Sequence, residues 1–443
     1  MVVQLCRDVL RPDSTGYSRG IGPIFQLRSV LFGVLLSAGP IAVLGHGLAG
    51  TGPVFTGAIL AIPTALLLLL GDWRAFRPHI CDFLFAGFVL LAAASIAVNG
   101  VPDDSKDVFL LALSLAAYPA ARVSGRDLVA GGTFAATALI ALVGAGATAI
   151  ALAEQWTWNH GKPLVFGVFD AAPTQFAMLL GVPVLMAACS DKLTTRQHLI
   201  IALVAAAPAV VFGASLVRFT FAALAVALAA AVFFRPAGAG RRSVMLLASI
   251  VIAAGVLGFA ARSHHAGILL HHLATATDLA PIAPDARLHL PDPADAGRCP
   301  PIDIDNSIAI RKQLYIDAIA AIPGAGLLGI GLDRFAAQSC IKGFTPHNSF
   351  LQATIEFGWP AGLLLILLLA MSFGRHAIAR ARVSASFRFA GCALVYFSLL
   401  ALAHGQISSD LALFLLFGYA AELEAARGEI VSARMLRPSA AIA

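Results

Sequence analysis

The chain has 443 residues, of which 59% are hydrophobic and only 12% charged, and its mean hydropathy is +0.85. A water-soluble domain carries roughly 25% charged residues, so this composition excludes one and indicates an all-α polytopic membrane protein. The net charge of +6 is spread over short loops, with no basic patch of interleaved aromatics, which argues against nucleic acid as a partner.

Residues 1–28 are polar and basic. They lack the short apolar core and small-residue cleavage site of a secretory leader and read as a cytoplasmic tail. About twelve membrane helices of about 20 residues follow. The first nine occupy residues 29–261, near 29–46, 53–71, 80–98, 107–121, 128–152, 171–189, 198–213, 216–234 and 243–261. The pair around Gly213 reads either as two spans or as one broken or re-entrant unit. Arg218 is the only charge in the run ASLVRFTFAALAVALAAAVFF, at its outer end. An ionisable residue in a span marks function unless it snorkels to the head groups.

Residues 262–356 form the one long polar segment. RSHHAGILLHH, residues 262–272, prolongs the preceding helix outward. Its His264, His265, His271 and His272 lack the i, i+4 spacing of a strong helical metal site and read as a solvated face. Residues 280–304 read as irregular loop. Asp303 and Asp305 are the nearest approach to a metal-binding pair, and no metal or other cofactor is expected. Cys299 and Cys340 share this segment and can pair if its compartment is oxidising; a loop of that length would contribute roughly 3–4 kcal/mol. Cys6 falls in the tail, and Cys81, Cys189 and Cys392 in or beside spans.

A helix begins near Asn306-Ser307, good cap residues, and ends at Pro323-Gly324. At about 100° per residue, Ile308, Tyr315, Ala318, Ile319 and Ile322 share one face with Arg311 in its middle. Lys312, Gln313 and Asp317 fall toward solvent. A guanidinium in an apolar stripe needs an anion or a strong acceptor, either a substrate or a structural carboxylate such as Asp303 or Asp333. Gly324, Gly326 and Gly329 match G-x-G-x-x-G but follow a helix, whereas the dinucleotide motif follows a strand; they read as a flexible turn. Thr345-Pro346 forces extended backbone into His347-Asn348. A histidine titrating near about pH 6.5 can take a proton from a hydroxyl; the alternative is a capping or core histidine. Spans near 357–373, 388–404 and 410–423 and a tail at 424–443 complete the chain.

Alternate loops carry the Lys and Arg: Arg74 and Arg77, Arg122 and Arg126, Lys192 and Arg196, Arg235, Arg241 and Arg242, and Arg375, Arg380, Arg382 and Arg388. Both tails are basic as well, with Arg7, Arg11, Arg19 and Arg28 at one end and Arg427, Arg434 and Arg437 at the other. An intervening loop is acidic, with Asp103, Asp104 and Asp107. The positive-inside rule places both termini in the cytoplasm and residues 262–356 outside. An enzyme working there has no ATP, so an activated lipid pyrophosphate must carry the energy. Its departure develops negative charge that planar Arg forks can stabilise. His347, Arg311 and Arg218 are therefore the candidate catalytic residues, and Asn348, Arg334, Lys312 and Tyr315 the candidate substrate-binding ones. The rival class is a polytopic transporter, which twelve spans would suit. The spans, however, are nearly free of the carboxylates that ion-coupled carriers place mid-membrane.

The Arg-bearing helix, its Pro-Gly turn, and His347-Asn348 followed by nine residues and Gly358 together resemble the O-antigen ligase and Wzy-type polymerase superfamily. Arg218 matches an Arg near the outer end of an earlier span in that group. The resemblance covers about residues 160–375. It implies a GT-C-like fold with one large periplasmic loop, in the bacterial inner membrane. The implied activity is metal-independent transfer of a glycan from undecaprenyl pyrophosphate to lipid A-core or to another carrier-linked glycan. Ligases often carry paired Thr soon after that Gly, where this chain has Trp359-Pro360-Ala361-Gly362, so both ligase and polymerase stay open.

Overall fold

The computed structural model describes residues 23–262 apart from 103–105, 126–128, 160 and 237, then 288–289, 299 and 302–303, then 307–435 apart from 375–376. Cys6, the tail charges Arg7, Arg11, Arg19 and Arg437, the acidic Asp103 and Asp104, Arg126, the four histidines of 262–272, Asp305, Asn306 and Arg375 lie outside the described residues.

Every apolar run forms helix. In chain order they are α1 Pro23–Leu36, α2 Ala38–Ala49, α3 Pro53–Leu69, α4 Ile80–Asn99, α5 Lys106–Ser124 and α6 Gly131–Gln155. Then come α7 Ala172–Cys189, α8 Thr195–Ala214, α9 Arg218–Phe234 and α10 Ala239–Ala261. The long segment contributes two short strands, β1 Leu288–His289 and β2 Ile302–Asp303, paired antiparallel. It also contributes α11 Ser307–Ala325, α12 Phe335–Gln338 and α13 Ser349–Glu356. The chain ends with α14 Trp359–Phe373, α15 Ala377–Val383, α16 Ala385–Ala403 and α17 Leu411–Met435.

Among the described residues seven helices, α4 to α8, α10 and α16, are long and apolar enough to cross a membrane. Apart from the short β1–β2 pair the described residues are helical, and the chain is a multi-pass membrane protein. The first apolar run, read as one span, is instead two helices bent by 70° at Ser37; taken as one broken span they make an eighth. Pro40 explains the break: it has no N–H to give the carbonyl of Leu36 and its ring would clash there. At the break Ser37 donates to the carbonyl of Gly33 through its hydroxyl, at 2.7 Å, as well as through its N–H. Helices α3, α9 and α14 are apolar but shorter than a full span.

Helix α7 is the axis of the bundle, with 89% of its length buried. Its C-terminal end is fastened by cations. Arg388 donates to the carbonyl of Cys189 at 2.9 Å and to Asp191 at 2.7 Å, and Arg235 donates to the carbonyl of Ser190. Arg122 ties α5 to Asp82 of α4 and Glu422 of α17. A buried charge persists only when paired, so these arginines of the basic loops also hold helix ends together.

The long segment builds a small core of its own from Ile302, Leu314, Ala318, Phe335, Ile341 and Ile355. It is crosslinked by a Cys299–Cys340 disulfide with Cα atoms 5.5 Å apart. The apolar face of α11 is rotated from the expected one. Leu314 and Ala318 are buried while Ile319 is 60% exposed, because the helix packs through its 310–314–318 flank onto Phe335 and Ile355. Asp317 does not face open solvent either; it accepts from the Gln313 side chain at 2.6 Å and the Cys340 N–H at 2.8 Å. The helix continues through Pro323 and stops before Gly326, whose φ of 64° is the left-handed cap position.

Candidate functional site

Helix α11 lies against the end of the bundle where α7 begins, opposite the Arg388 and Arg235 fastenings. A cavity of about 600 Å³ opens between them. Its polar wall includes Lys162, Asp170, Thr174, Arg311, His347, His404 and Asp410, and its deeper wall is apolar, from residues such as Leu36, Leu60 and Phe397. Such a mixed cavity can take a molecule with a charged head and a lipid-side body.

Arg311 reaches across from α11 to His404 at the end of α16, with 3.3 Å between Nη2 and Nδ1. Among the described residues no carboxylate comes within ion-pair reach of its guanidinium, so Asp333 does not neutralise it; the Asp303 side chain lies outside the described residues. An arginine cannot accept a hydrogen bond. The His404 Nδ1 is therefore the acceptor, and the ring proton sits on Nε2.

His347 occupies the left-handed region with φ 52°, uncommon for a residue with a side chain and most often met at functional sites. Its imidazole is pushed down to about 4, first by burial and then by the positive charges of Arg311 and Lys162. It is neutral at physiological pH and available to accept a proton. Asn348 caps α13: its Oδ1 accepts from the N–H groups of Phe350 and Leu351 at 3.0 and 3.1 Å, and its Nδ2 approaches the Tyr315 hydroxyl at 3.5 Å. Tyr315 in turn donates to the carbonyl of Leu402. These two residues, expected to bind substrate, brace His347 and Arg311 against α16.

The remaining candidates separate. Lys312 is exposed on α11 and does not line the cavity. Arg334 donates to the carbonyl of Asn99 at the end of α4 and is likewise not in the cavity wall. Arg218 opens α9 just after Leu216, at φ 61°. It heads a second cavity of about 270 Å³ between α9 and α10, walled by Phe221, Ile252, Val256 and Phe259. Arg218 and Arg311 thus line different cavities, near enough for the charge of Arg311 to reach Arg218.

Three groups escaped the sequence reading. Lys162 enters from the loop before α7, and its Nζ donates to Thr174 Oγ1 at 3.0 Å. His404 enters from the end of α16. Asp410 accepts from Ser349 beside the His347-Asn348 pair and lines the cavity. Each stands at the edge of an apolar run, where a charged or polar residue carries no local signal of function.

The glycine at 358 has a steric reason. Gly358 has φ 95°, and a Cβ there would fall on the backbone of Leu327. The same approach brings Ile330 N–H to the carbonyl of Ile355 at 2.9 Å and Gly331 N–H to that of Glu356 at 3.0 Å. Gly358→Ala should therefore destabilise the protein by roughly 1–3 kcal/mol from backbone strain alone, with more from the clash. A melting temperature in detergent equal to that of the wild type would show the approach to be dispensable.

No protein-family model, curated protein or solved structure matches this chain. Among the described residues no group of three or more His, Cys, Asp or Glu is placed to hold a metal ion.

Proposed function

We propose that this chain is a membrane glycosyltransferase. It moves a glycan from an undecaprenyl pyrophosphate carrier to a sugar hydroxyl at the outer face of a bacterial inner membrane, in surface polysaccharide assembly. The observation that carries the reading is the meeting of Arg311, free of any carboxylate among the described residues, with a neutral His347 across one cavity. Fixed cations that make no ion pair with a described carboxylate are suited to a phosphate ligand, and a neutral buried imidazole to a hydroxyl proton. The short helices α3, α9 and α14 and the helix α17 complete about twelve spans of a GT-C-like arrangement, with both termini in the cytoplasm.

In the reaction the acceptor hydroxyl gives its proton to His347 as its oxygen bonds the anomeric carbon. The bond from that carbon to the phosphate oxygen breaks, and its electron pair stays on the departing pyrophosphate. Arg311 and Arg218 hold that group, and His347 later returns its proton to water. Lipid A-core as acceptor makes the enzyme a ligase, and a second carrier-linked glycan makes it a polymerase.

The test is purified protein in vesicles without an ion gradient, given carrier-linked glycan and each acceptor in turn. Release of undecaprenyl pyrophosphate with growth of the acceptor supports the reading. Gradient-driven movement of the intact glycolipid with no such release would make the protein a transporter. Orientation has its own check. Cysteines near Asp295 should react with an impermeant thiol reagent in intact cells, and those near Arg242 only after the membrane is opened. The reverse pattern would separate His347 from any external substrate.

A further inference from the structure

We propose that Lys162 is the third cation of the donor site and takes up the negative charge that appears on the pyrophosphate as the glycosyl bond breaks. This rests on the glycosyltransferase reading above and adds to it a residue from a different part of the chain.

The loop that carries Lys162 is fixed on both sides. Arg262, just past α10, donates to the carbonyl of Asn159 at 2.7 Å, of Gly161 at 3.1 Å and of Ala214 at 3.2 Å. Asn159 Nδ2 donates to the carbonyl of Lys162 itself at 2.9 Å, and Gln155 holds Leu164 through both its N–H and its carbonyl. The same Arg262 contact with Ala214 anchors the loop to the end of α8, four residues before Arg218. Lys162 and Arg218 are therefore registered against each other by one guanidinium.

The ammonium group has three protons to donate. One goes to the neutral Thr174 hydroxyl. Among the described residues no carboxylate lies within ion-pair distance of Nζ; Asp170 acts on it only at longer range. Burial first, and then the charge of Arg311, hold its pKa below the usual lysine range, with Asp170 opposing and Arg218 adding a smaller push. A partly buried lysine facing Arg311 across a cavity is a costly arrangement. An anion bound between them would relieve it.

Charge matching fixes which step gains most. A glycosyl pyrophosphate diester has one ionised oxygen on each phosphorus, which two arginines balance. When the glycosyl bond breaks, the bridging oxygen keeps the electron pair and the leaving group acquires a third negative charge. A third cation is thus used chiefly in the transition state and product, and an interaction of that kind raises kcat rather than tightening substrate binding. Lysine suits the role as a compact point charge on a flexible stem.

The experiment compares wild type with K162Q, K162M and K162R, using variants whose melting temperature stays within a few degrees of wild type. With saturating donor, K162Q and K162M should lower kcat by roughly 10²–10³-fold and leave KM for donor nearly unchanged. K162R should restore part of the loss. Undecaprenyl pyrophosphate should bind K162Q at least about tenfold more weakly, while affinity for the intact donor barely moves. Wild type gives a check that needs no variant: it should bind undecaprenyl pyrophosphate more tightly than undecaprenyl phosphate or the donor. Equal affinity for all three overturns the proposal. So does normal kcat in K162Q, or an equal loss of donor and product binding. Those failures leave the glycosyltransferase reading standing if wild type transfers glycan; absence of transfer in wild type defeats that reading itself.

Discussion

His347→Ala should lower glycan transfer by roughly 10²–10⁴-fold, the usual worth of a positioned general base, with donor binding mostly retained. The pH profile sharpens this expectation. A base must be neutral to act, so activity falls as pH drops through its pKa. Burial, then Arg311 and Lys162, hold His347 at about 4; Asp170, His404 and Asp410 face the same cavity. Bound pyrophosphate offsets the two cations and must raise that value. The acid limb of kcat/KM, which reports the free enzyme, should then lie near pH 4, and the limb of kcat, which reports the donor complex, at higher pH. His347→Gln should abolish both limbs along with the activity. Full turnover in His347→Ala at neutral pH would remove this residue from the mechanism. Coincident limbs would show that donor phosphate does not sit beside the imidazole.

The helices were legible because lipid imposes one rule on every apolar run: the backbone must bond within itself. Length and composition were enough to find α4 to α10. The bend at Ser37 needed only Pro40, which stands in the sequence, yet the first apolar run reads as continuous when hydrophobicity alone is counted. The Cys299–Cys340 pairing was legible from their sharing one segment. Arg311 stood out because a guanidinium interrupts an apolar stripe, although the stripe lies on a different flank of α11 from the one the periodicity picked. What the sequence hid was convergence. Lys162, His404 and Asp410 come from three separate turns, and only the packing of α7, α11 and α16 brings them to one cavity. Asn348 and Tyr315 look like binding residues because they flank His347 and Arg311. In the fold their polar atoms are occupied by the cap of α13 and the end of α16.

Arg218 and Arg311 should prove interdependent. They line separate cavities, one running down the groove between α9 and α10 and the other into the bundle, but the charge of Arg311 reaches Arg218. A lipid pyrophosphate spanning the junction would place its phosphates between them and its chain along an apolar wall. Arg218→Ala and Arg311→Ala should each cost roughly 10²–10³-fold in turnover, as expected for loss of a donor to developing charge. Lys at either position keeps the charge but loses the planar fork that matches phosphate oxygens, so Arg218→Lys and Arg311→Lys should be impaired less than Ala. Arg311 carries a further duty, since it orders His404 through Nδ1; its Lys variant should therefore be the weaker of the two. Groups acting as one unit are not additive, so the double Ala variant should be little worse than the poorer single one. EDTA should leave the wild-type rate unchanged, because the guanidinium groups stand where a metal would otherwise neutralise phosphate. The measurement is donor turnover in the four single variants, the double variant and the chelator control. Near-wild-type activity in either Ala variant would break the shared site, and multiplicative losses in the double would mean that the two arginines serve separate ligands.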